Sequence, residues 1–249
     1  MRKTLGWILI GLIFLVGNVY AGETLEQVLA KNYKARGGLE KLKGIKTIYL
    51  EGKMTIEAAQ SMEIPVKMWI KKPNKIRTET VIQGQTIVQA FDGEKAWWIM
   101  PLMGSKEPQL MPEMQAKQVK EQSESWDPLV NYKKLGYKLE YLGKDEIEGT
   151  EVYKLKLTKK DGSVSYHYLD VESGIEIMTE TYMKRGETEY KVETVFGDYK
   201  EVNGIMFPFY FESKANGKTV SLMTFNKIEV NPEIDDSIFT MPASSKNKK

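Results

Sequence analysis

Residues 48–57 read Ile-Tyr-Leu-Glu-Gly-Lys-Met-Thr-Ile-Glu, and this stretch decides the class of fold. Its even-numbered positions, from Ile48 to Ile56, are apolar or glycine, whereas its odd-numbered positions, from Tyr49 to Glu57, are mostly charged or polar. Because side chains alternate between the two faces of a β-strand, the pattern predicts a long strand with one buried and one exposed face.

The next stretch repeats this alternation after a short polar connection. One parity holds Met62, Ile64, Val66, Met68 and Ile70, and the other holds Glu63, Pro65, Lys67, Trp69 and Lys71. Proline has no N–H to donate to a neighbouring strand, so Pro65 predicts an edge or bulged position.

Turn signals divide the remainder of the chain into further strands. Nearly every one of eight residue pairs lies between two strand-like stretches: Gln83-Gly84, Asp92-Gly93, Glu148-Gly149, Asp161-Gly162, Ser173-Gly174, Arg185-Gly186, Asn203-Gly204 and Asn216-Gly217. Glycine at the second position suits tight hairpin turns. Counting the stretches predicts about 11–12 antiparallel strands in a meander.

Two segments have helical rather than strand-like spacing. Between Glu23 and Leu42 the apolar residues recur at helical intervals, and Gly37-Gly38 is expected to break or kink this amphipathic helix. The segment from Glu113 to Ser125 predicts a second helix, after which Asp127-Pro128 begins another short turn. We therefore expect two or three helices in a mainly β protein.

The number of strands constrains the architecture. One apolar face on so many strands is more than two or three helices could cover on a flat sheet, so the sheet must curl. We predict an incomplete half-barrel whose concave face is covered by the helices. The concavity either binds an apolar ligand or is filled by its own side chains, and the strand count favours a cavity.

The first 21 residues have the features of a secretory leader. Arg2 and Lys3 precede an apolar run, and Val19-Tyr20-Ala21 fits a signal-peptidase site. The run is shorter than the roughly 20 residues of a membrane-spanning helix, which disfavours a retained anchor. We expect cleavage after Ala21, a single domain over 22–243, a disordered basic tail over 244–249 and a location in the periplasm.

Composition excludes several classes of function. The chain has 36 basic and 34 acidic side chains. Loss of Arg2 and Lys3 with the leader would leave it neutral, which argues against nucleic acid as a partner. With no cysteine and one histidine, thiolate chemistry and His-rich metal clusters are excluded. We expect no cofactor, no metal site and no enzymatic activity.

Candidates for enzymatic chemistry are few. The single histidine, His167, shares the parity of Ser165 rather than of Tyr166 and Tyr168, so we expect it to face the solvent without a functional role. The acid pairs Asp145/Glu146 and Asp235/Asp236 lie beside turns, where carboxylates usually solvate a loop or cap a helix. An enzyme is therefore the third of three interpretations.

Methionine is frequent in the chain, with 13 residues, many of them on the inward parity. Flexible thioethers repack around ligands of variable shape, although any single methionine can equally fill a gap in the core. The expected contacts to an acyl-like ligand are Leu50, Met54, Met62, Met68, Trp97, Met100 and Met114. The apolar run 97–104 leads into the second helix and is either a lid hinge or an ordinary loop on the rim.

Two motifs carry a resemblance to a known family. Trp69-Ile70-Lys71-Lys72-Pro73-Asn74 is followed by Asp92-Gly93-Glu94-Lys95-Ala96-Trp97 and then by Pro101. This order resembles the W-[VI]-K-[RK]-P-N … D-G-K-x-x-W-x-x-x-P pattern of the LolA/LolB-like periplasmic lipoprotein carriers, the outer membrane lipoprotein-sorting proteins. The ending Ile238-Phe239-Thr240-Met241-Pro242 is similar to the family's F-x-F-x-P close.

The resemblance implies an unclosed antiparallel barrel with a helical lid, in which acyl chains of a lipoprotein or lipid are sheltered for transfer toward the outer membrane. It also implies an inner-membrane transporter and an outer-membrane acceptor as partners. The family's lid-closing arginine corresponds to Lys72, which lacks the planar fork of arginine and would form a weaker latch; its alternative is a solvated lysine at a strand end. A lipid- or lipoprotein-sensing regulatory domain is the second interpretation.

Overall fold

The structure is a computed structural model that describes residues 22–57, 61–124, 126–185 and 188–243. The predicted leader at 1–21, the predicted tail at 244–249 and the expected helix end at Ser125 lie outside these ranges. The predictions made for them are therefore not tested here.

The backbone is mainly β, as the alternation at 48–57 predicts. The strands are β1 (Thr47–Ile56), β2 (Met62–Lys71), β3 (Lys75–Ile82), β4 (Gln85–Phe91), β5 (Ala96–Met100), β6 (Ser105–Leu110), β7 (Lys138–Ile147), β8 (Thr150–Thr158), β9 (Val164–Asp170), β10 (Glu176–Arg185), β11 (Thr188–Val202), β12 (Ile205–Ala215) and β13 (Lys218–Val230). The 13 strands form one antiparallel sheet, slightly more than the 11–12 expected.

The strand order explains how the sheet is assembled. It runs β6-β5-β4-β3-β2-β1-β13-β12-β11-β10-β9-β8-β7, so two meanders are joined where β1 pairs with β13. The chain enters at the middle of the sheet, reaches one edge at β6, continues from the opposite edge at β7 and returns to the middle. The two edge strands do not pair, which makes the sheet an open half-barrel, as predicted.

Within the described ranges, four helices accompany the sheet: α1 (Leu25–Ala35), α2 (Leu39–Lys43), α3 (Glu113–Glu124) and α4 (Pro128–Leu135). The predicted break at Gly37-Gly38 is confirmed, with φ angles of 102° and 103°. A Cβ atom on Gly37 would lie 2.1 Å from the carbonyl oxygen of Gly204, so the break also lets α1 and α2 approach the β11–β12 turn. The turn expected after Asp127-Pro128 is the longer helix α4.

The position of α3 and α4 follows from the strand order. Both helices lie between β6 and β7, which are the opposite edges of the sheet. Since the connecting chain must travel from one edge to the other, it crosses the concave side of the curled sheet. We call residues 113–135 the cover, apart from Ser125, which is not described.

The concave face carries most of the apolar core, in three clusters beneath different helices. Val28, Leu29 and Leu129 from α1 and α4 pack on β7–β9, and Leu42 from α2 packs on β1, β12 and β13. The third cluster lies on β3–β5, where Ala116 and Val119 of α3 pack against it. Burial of these faces is what holds the helices to the sheet.

Pro65 lies on an interior strand, where it is paired with Lys53 of β1 but has no paired residue on the β3 side. Strand β2 lies between β1 and β3, but its pairing with β3 ends at Val66, one residue before Pro65 is reached. The missing N–H of the proline therefore interrupts no ladder bond to β3. Among the helices of the described residues, none is long and apolar enough to cross a bilayer.

Candidate ligand-binding cavity

A cavity of about 410 Å³ lies between the concave face and the start of α4. Its apolar wall is formed by Ile48, Leu50, Ile70, Phe196, Phe207 and Phe211. The register brings these side chains together, because Ile48 is paired with Ile70 and Phe196 with Phe211. The volume falls in the range of roughly 300–1,000 Å³ that is usual for small-molecule pockets.

Aromatic rings define the shape of the apolar wall. The Phe196 and Phe211 rings meet edge to face with centroids 5.4 Å apart, and Phe211 meets Phe225 in the same way at 5.6 Å. Such pairs favour a fixed geometry over free rotation. The wall is therefore a preformed apolar surface that extends across β11, β12 and β13.

An ion pair fixes the cover to α1 at the edge of the cavity. Arg36 donates from Nη1 to Asp127 Oδ1 over 3.0 Å and from Nη2 to Oδ2 over 2.7 Å, and both side chains are largely buried. Burial opposes the charge of Arg36, but the charge and hydrogen bonds of Asp127 outweigh this effect and raise the pKa of Arg36 further. Paired in this fork geometry, the two groups form a strong anchor.

A second hydrogen bond joins the same two helices. The Tyr33 hydroxyl of α1 donates to the carbonyl oxygen of Leu129 in α4 over 2.7 Å. Burial of the phenol, with the negative charge of Asp127 nearby, raises the pKa of Tyr33 to about 12. The first turn of α4 is thus held by two separate polar contacts as well as by apolar packing.

Trp126 closes the cavity from the side of the cover. Its ring stacks on Phe207 at a centroid distance of 6.5 Å, and the Lys72 ammonium lies 5.1 Å from its ring centre. The buried Nε1 of Trp126 has no hydrogen-bond partner within the described part of the chain. A buried donor without a partner costs about 1–3 kcal/mol. The cover is therefore held less favourably at Trp126 than at Asp127, whose carboxylate is hydrogen-bonded.

Lys72 lies against the cover, at the place where the resemblance puts a latch. Its described contact is with the face of the Trp126 indole rather than with helix carbonyl oxygens. Burial lowers the pKa of Lys72, and the nearby Lys134 lowers it further, whereas the charge of Asp127 opposes the shift. The role of Lys72 as a latch stays a prediction.

One corner of the cavity is polar and contains the only histidine of the chain. Ser165 Oγ lies 3.0 Å from His167 Nε2, and His167 Nδ1 lies 2.6 Å from Glu176 Oε1. The expectation that His167 faces the solvent is wrong: the residue is 4% exposed and lines the cavity. Ser165 and His167 do share one face of β9, as predicted, but this is the concave face. Tyr166 and Tyr168 lie on the convex face.

Tyr199 supports this corner from β11. Its hydroxyl donates to the carbonyl oxygen of Glu176 over 2.6 Å, at the irregularity where β10 and β9 change register. Burial, followed by the charge of Glu176, strongly raises the pKa of Tyr199, so the phenol stays protonated at physiological pH. The backbone that carries Glu176 is thereby held in place.

The predicted ligand contacts are dispersed. Leu50 lines the cavity. Met54 and Met68 share its concave face but lie beyond the cavity, and Met68 packs against the core under α3. Met100 is partly buried at the end of β5. Met62 is 46% exposed and Met114 is 71% exposed. Ligand binding by these residues stays a prediction, and only Leu50 lies at the cavity.

The placement of Trp97 on the concave face is wrong. Its paired residue is Ala90, and both belong to a cluster on the convex face. Trp97 is completely buried there, and its Nε1 donates to the carbonyl oxygen of Phe239 over 2.7 Å. The C-terminal segment, rather than a ligand, therefore covers this ring.

The described contacts of the remaining motif residues are with other parts of the protein and stabilise turns and strand pairs. Asn74 donates to the carbonyl oxygen of Gly93 over 3.3 Å, which joins the two motif segments. Asp92 accepts from two backbone N–H groups of its own turn. Trp69 packs on Tyr49 across β1 and β2 at 5.3 Å. Pro73 follows Lys72 at the β2–β3 turn, and Pro101 begins a short 3-10 turn, Pro101–Met103.

Sequence reasoning did not identify most of the cavity lining. Phe196 and Phe211 carry the same alternation as β1, so parity could have placed them on one face, but only the register shows that they meet. Arg36 and Asp127 are 91 residues apart, and no local pattern links them. For the residues that the structure covers, no group of three or more His, Asp and Glu side chains could hold a metal ion.

Comparisons with known proteins agree with this fold. A family model described as "-like: Uncharacterized protein" matches residues 75–243, well over half of the chain. A LolA superfamily protein from Nitrosomonas europaea has a TM-score of 0.60 at 15% identity, covering 88% of this chain and 98% of that one. No curated protein matched the sequence.

Two further solved structures are similar. A domain from Vibrio parahaemolyticus, named for outer membrane lipoprotein sorting, has a TM-score of 0.58 at 13% identity and covers 87% of this chain and 95% of that one. A DUF1329 family protein from Desulfovibrio piger ATCC 29098 has a TM-score of 0.61 at 12% identity, with coverages of 88% and 98%. The resemblance to LolA-like proteins is thus confirmed for the fold.

Proposed function

Because the chain belongs to the family of the model that matches residues 75–243 and has the LolA-like half-barrel fold, we propose that it is an envelope carrier that shelters acyl chains in its concave cavity. The observation that carries the proposal is the apolar wall of Ile48, Leu50, Ile70 and the phenylalanines beneath the cover. The names of the similar structures support it as analogy only.

The energetics suit such a task. Each methylene removed from water contributes roughly 0.8 kcal/mol, so a long acyl chain cannot cross an aqueous compartment unprotected. A cavity of about 410 Å³ with a rigid aromatic wall offers the required burial. The cover is held by a few discrete contacts, chiefly Arg36 with Asp127 and Lys72 with Trp126, and such contacts can open and close without unfolding the sheet.

Location and partners extend this proposal. We propose that residues 1–21 are removed after Ala21 and that the protein acts in the periplasm, as its basic start and Val-Tyr-Ala site suggest. Loading by an inner-membrane transporter and delivery to an outer-membrane acceptor belong to the same proposal. N-terminal sequencing of the envelope protein is expected to begin at Gly22, and recovery of Met1 would contradict it.

Binding of 1-N-phenylnaphthylamine, an uncharged apolar probe, tests the cavity. Leu50→Glu should weaken binding at least about tenfold, because an unpaired carboxylate in an apolar wall is strongly unfavourable. Val81→Glu is the matched control. Val81 is exposed on β3, and because it follows the concave-face residue Thr80, its side chain lies on the convex face. This variant should bind like the wild type. Wild-type protein that does not bind the probe, or equal binding by Leu50→Glu, would overturn the proposal.

A further inference from the structure

The polar corner of the cavity is built from two neighbouring strands. The register pairs His167 with Thr179 and Ser165 with Thr181, so four polar side chains share one patch of the concave face between β9 and β10. Glu176 lies beside them, and all five line the cavity. A cavity that served only to bury hydrocarbon would not require polar side chains at these positions.

Some hydrogen-bonding groups of the polar corner remain available to a ligand. His167 uses both ring nitrogens, toward Ser165 and toward Oε1 of Glu176. In the part of the chain described by the structure, the second carboxylate oxygen of Glu176 and the hydroxyls of Thr179 and Thr181 have no side-chain hydrogen-bond partner. The corner therefore presents acceptors, with the carboxylate as the strongest, and two hydroxyls that can donate or accept.

The charged side chains around the cavity also bear on which head group the corner can bind. Arg36 is the one arginine that lines the cavity in the described residues; two of its N–H groups form a fork with Asp127, and its charge also interacts with that of Glu176. Lys159 also lines the cavity, and its partly exposed ammonium lies 4.0 Å from a carboxylate oxygen of Glu121, which is shared with Lys117. Among the described side chains, the hydrogen-bond partner of Glu176 is the imidazole of His167, which leaves the second carboxylate oxygen of Glu176 able to accept from a ligand. A negatively charged head hydrogen-bonded at His167, Thr179 and Thr181 would lie directly beside the Glu176 carboxylate, whereas a head that donates hydrogen bonds would be accepted by it.

The order of hydroxyl, imidazole and carboxylate is also that of serine hydrolases, but the backbone here does not suit acyl transfer. Strand β9 is an interior strand, paired with β8 on one side and with β10 on the other. Its N–H groups are engaged in these ladders, whereas an oxyanion hole needs free donors beside the nucleophile. The three side chains are therefore better suited to holding a group than to cleaving one.

We infer that this corner is a headgroup subsite for an amphiphile whose head donates hydrogen bonds and carries no negative charge, such as a glyceryl hydroxyl or an amine. The inference rests on the proposed carrier function and names its ligand class. The alkyl chain lies along Leu50, Ile70 and Phe211, and the head lies at Glu176. Free fatty acids and anionic heads are disfavoured.

Displacement of 1-N-phenylnaphthylamine by three chain-matched ligands tests the inference: 1-dodecanoylglycerol, dodecylamine and dodecanoate. We expect wild-type protein to bind the first two at least about tenfold more tightly than dodecanoate. Glu176→Gln removes the charge at nearly constant shape and should reduce this preference to within about threefold. Glu180→Gln is the matched control on the same strand, because Glu180 pairs with Tyr166 on the convex face, and it should retain the preference.

The outcomes separate this inference from the proposed function. If the probe and every ligand fail to bind, both are overturned. If the probe binds but the wild type prefers dodecanoate, or Glu176→Gln keeps the preference, the headgroup subsite alone is overturned. Hydrolysis of 1-dodecanoylglycerol that Ser165→Ala abolishes would replace the subsite by a catalytic one and equally overturn the inference.

Discussion

Trp97 is a fully buried indole and Trp126 is a partly buried one. Each has a cation over its ring, yet they lie on opposite faces of the sheet. Arg77 lies 5.6 Å from the Trp97 ring, and Lys72 lies 5.1 Å from the Trp126 ring. Trp97 donates to Phe239, whereas Trp126 has no acceptor in the described residues. A fully satisfied ring is typical of permanent structure, and an unsatisfied ring beside a cavity is typical of a part that moves or meets a ligand.

The surroundings of the two rings differ in the same way. The C-terminal segment is held on the Trp97 side by Arg77, which donates to the Ile238 carbonyl oxygen over 2.6 Å, as well as by Trp97 itself. The Trp126 side is held mainly through the neighbouring Asp127, which lies in a left-handed conformation with φ 55°. Substitutions on the two sides should therefore separate stability from ligand binding.

The largest effect is expected at the anchor next to Trp126. Arg36→Met leaves the Asp127 carboxylate buried without its partner, which should lower the free energy of unfolding by about 3–5 kcal/mol. The double variant Arg36→Met, Asp127→Asn should recover most of this loss, because it removes both charges together and asparagine tolerates the left-handed conformation at position 127. Urea unfolding of the wild type and the two variants measures the effect, and a double variant no more stable than Arg36→Met would contradict a charge-based explanation.

A matched pair of substitutions should give the next largest difference. Trp97→Phe leaves the Phe239 carbonyl oxygen without its donor and should lower the free energy of unfolding by about 1–3 kcal/mol. Trp126→Phe removes an unpaired N–H and should change the same quantity by less than about 1 kcal/mol. Probe binding should be altered only in Trp126→Phe. Equal losses of stability in urea, or altered binding in Trp97→Phe, would remove the distinction between the rings.

The smallest effect concerns the cation over Trp126. Because burial lowers the pKa of Lys72 in the folded state, the unfolded chain binds more protons between that pKa and the ordinary value of about 10.4. Stability from this group therefore rises as the pH increases through that range. We therefore compare the free energy of unfolding of the wild type with that of Lys72→Met. Relative to the variant, the wild type should become more stable between about pH 8 and about pH 10. A difference independent of pH would argue for a solvated lysine.

These particular residues show what sequence reasoning could and could not reach. The alternation at 48–57 and the turn pairs predicted the strands, and Gly37-Gly38 marked the helix break, because each depends on neighbours in the chain. The sheet order placed the cover, since β6 and β7 are opposite edges. Which parity faces inward is decided by what packs on each face, and this is why Trp97 and His167 were both assigned to the wrong side.

The proposed function requires Trp126, and not Trp97, to meet an acyl chain held on the concave face. Fluorine NMR of protein labelled with 5-fluorotryptophan tests it directly, with each resonance assigned from single Trp→Phe variants. Titration with 1-dodecanoylglycerol should shift or broaden the Trp126 resonance and leave the Trp97 resonance unchanged. A spectrum in which the ligand binds but shifts the Trp97 resonance and not the Trp126 resonance would show that the acyl chain is not held on the concave face.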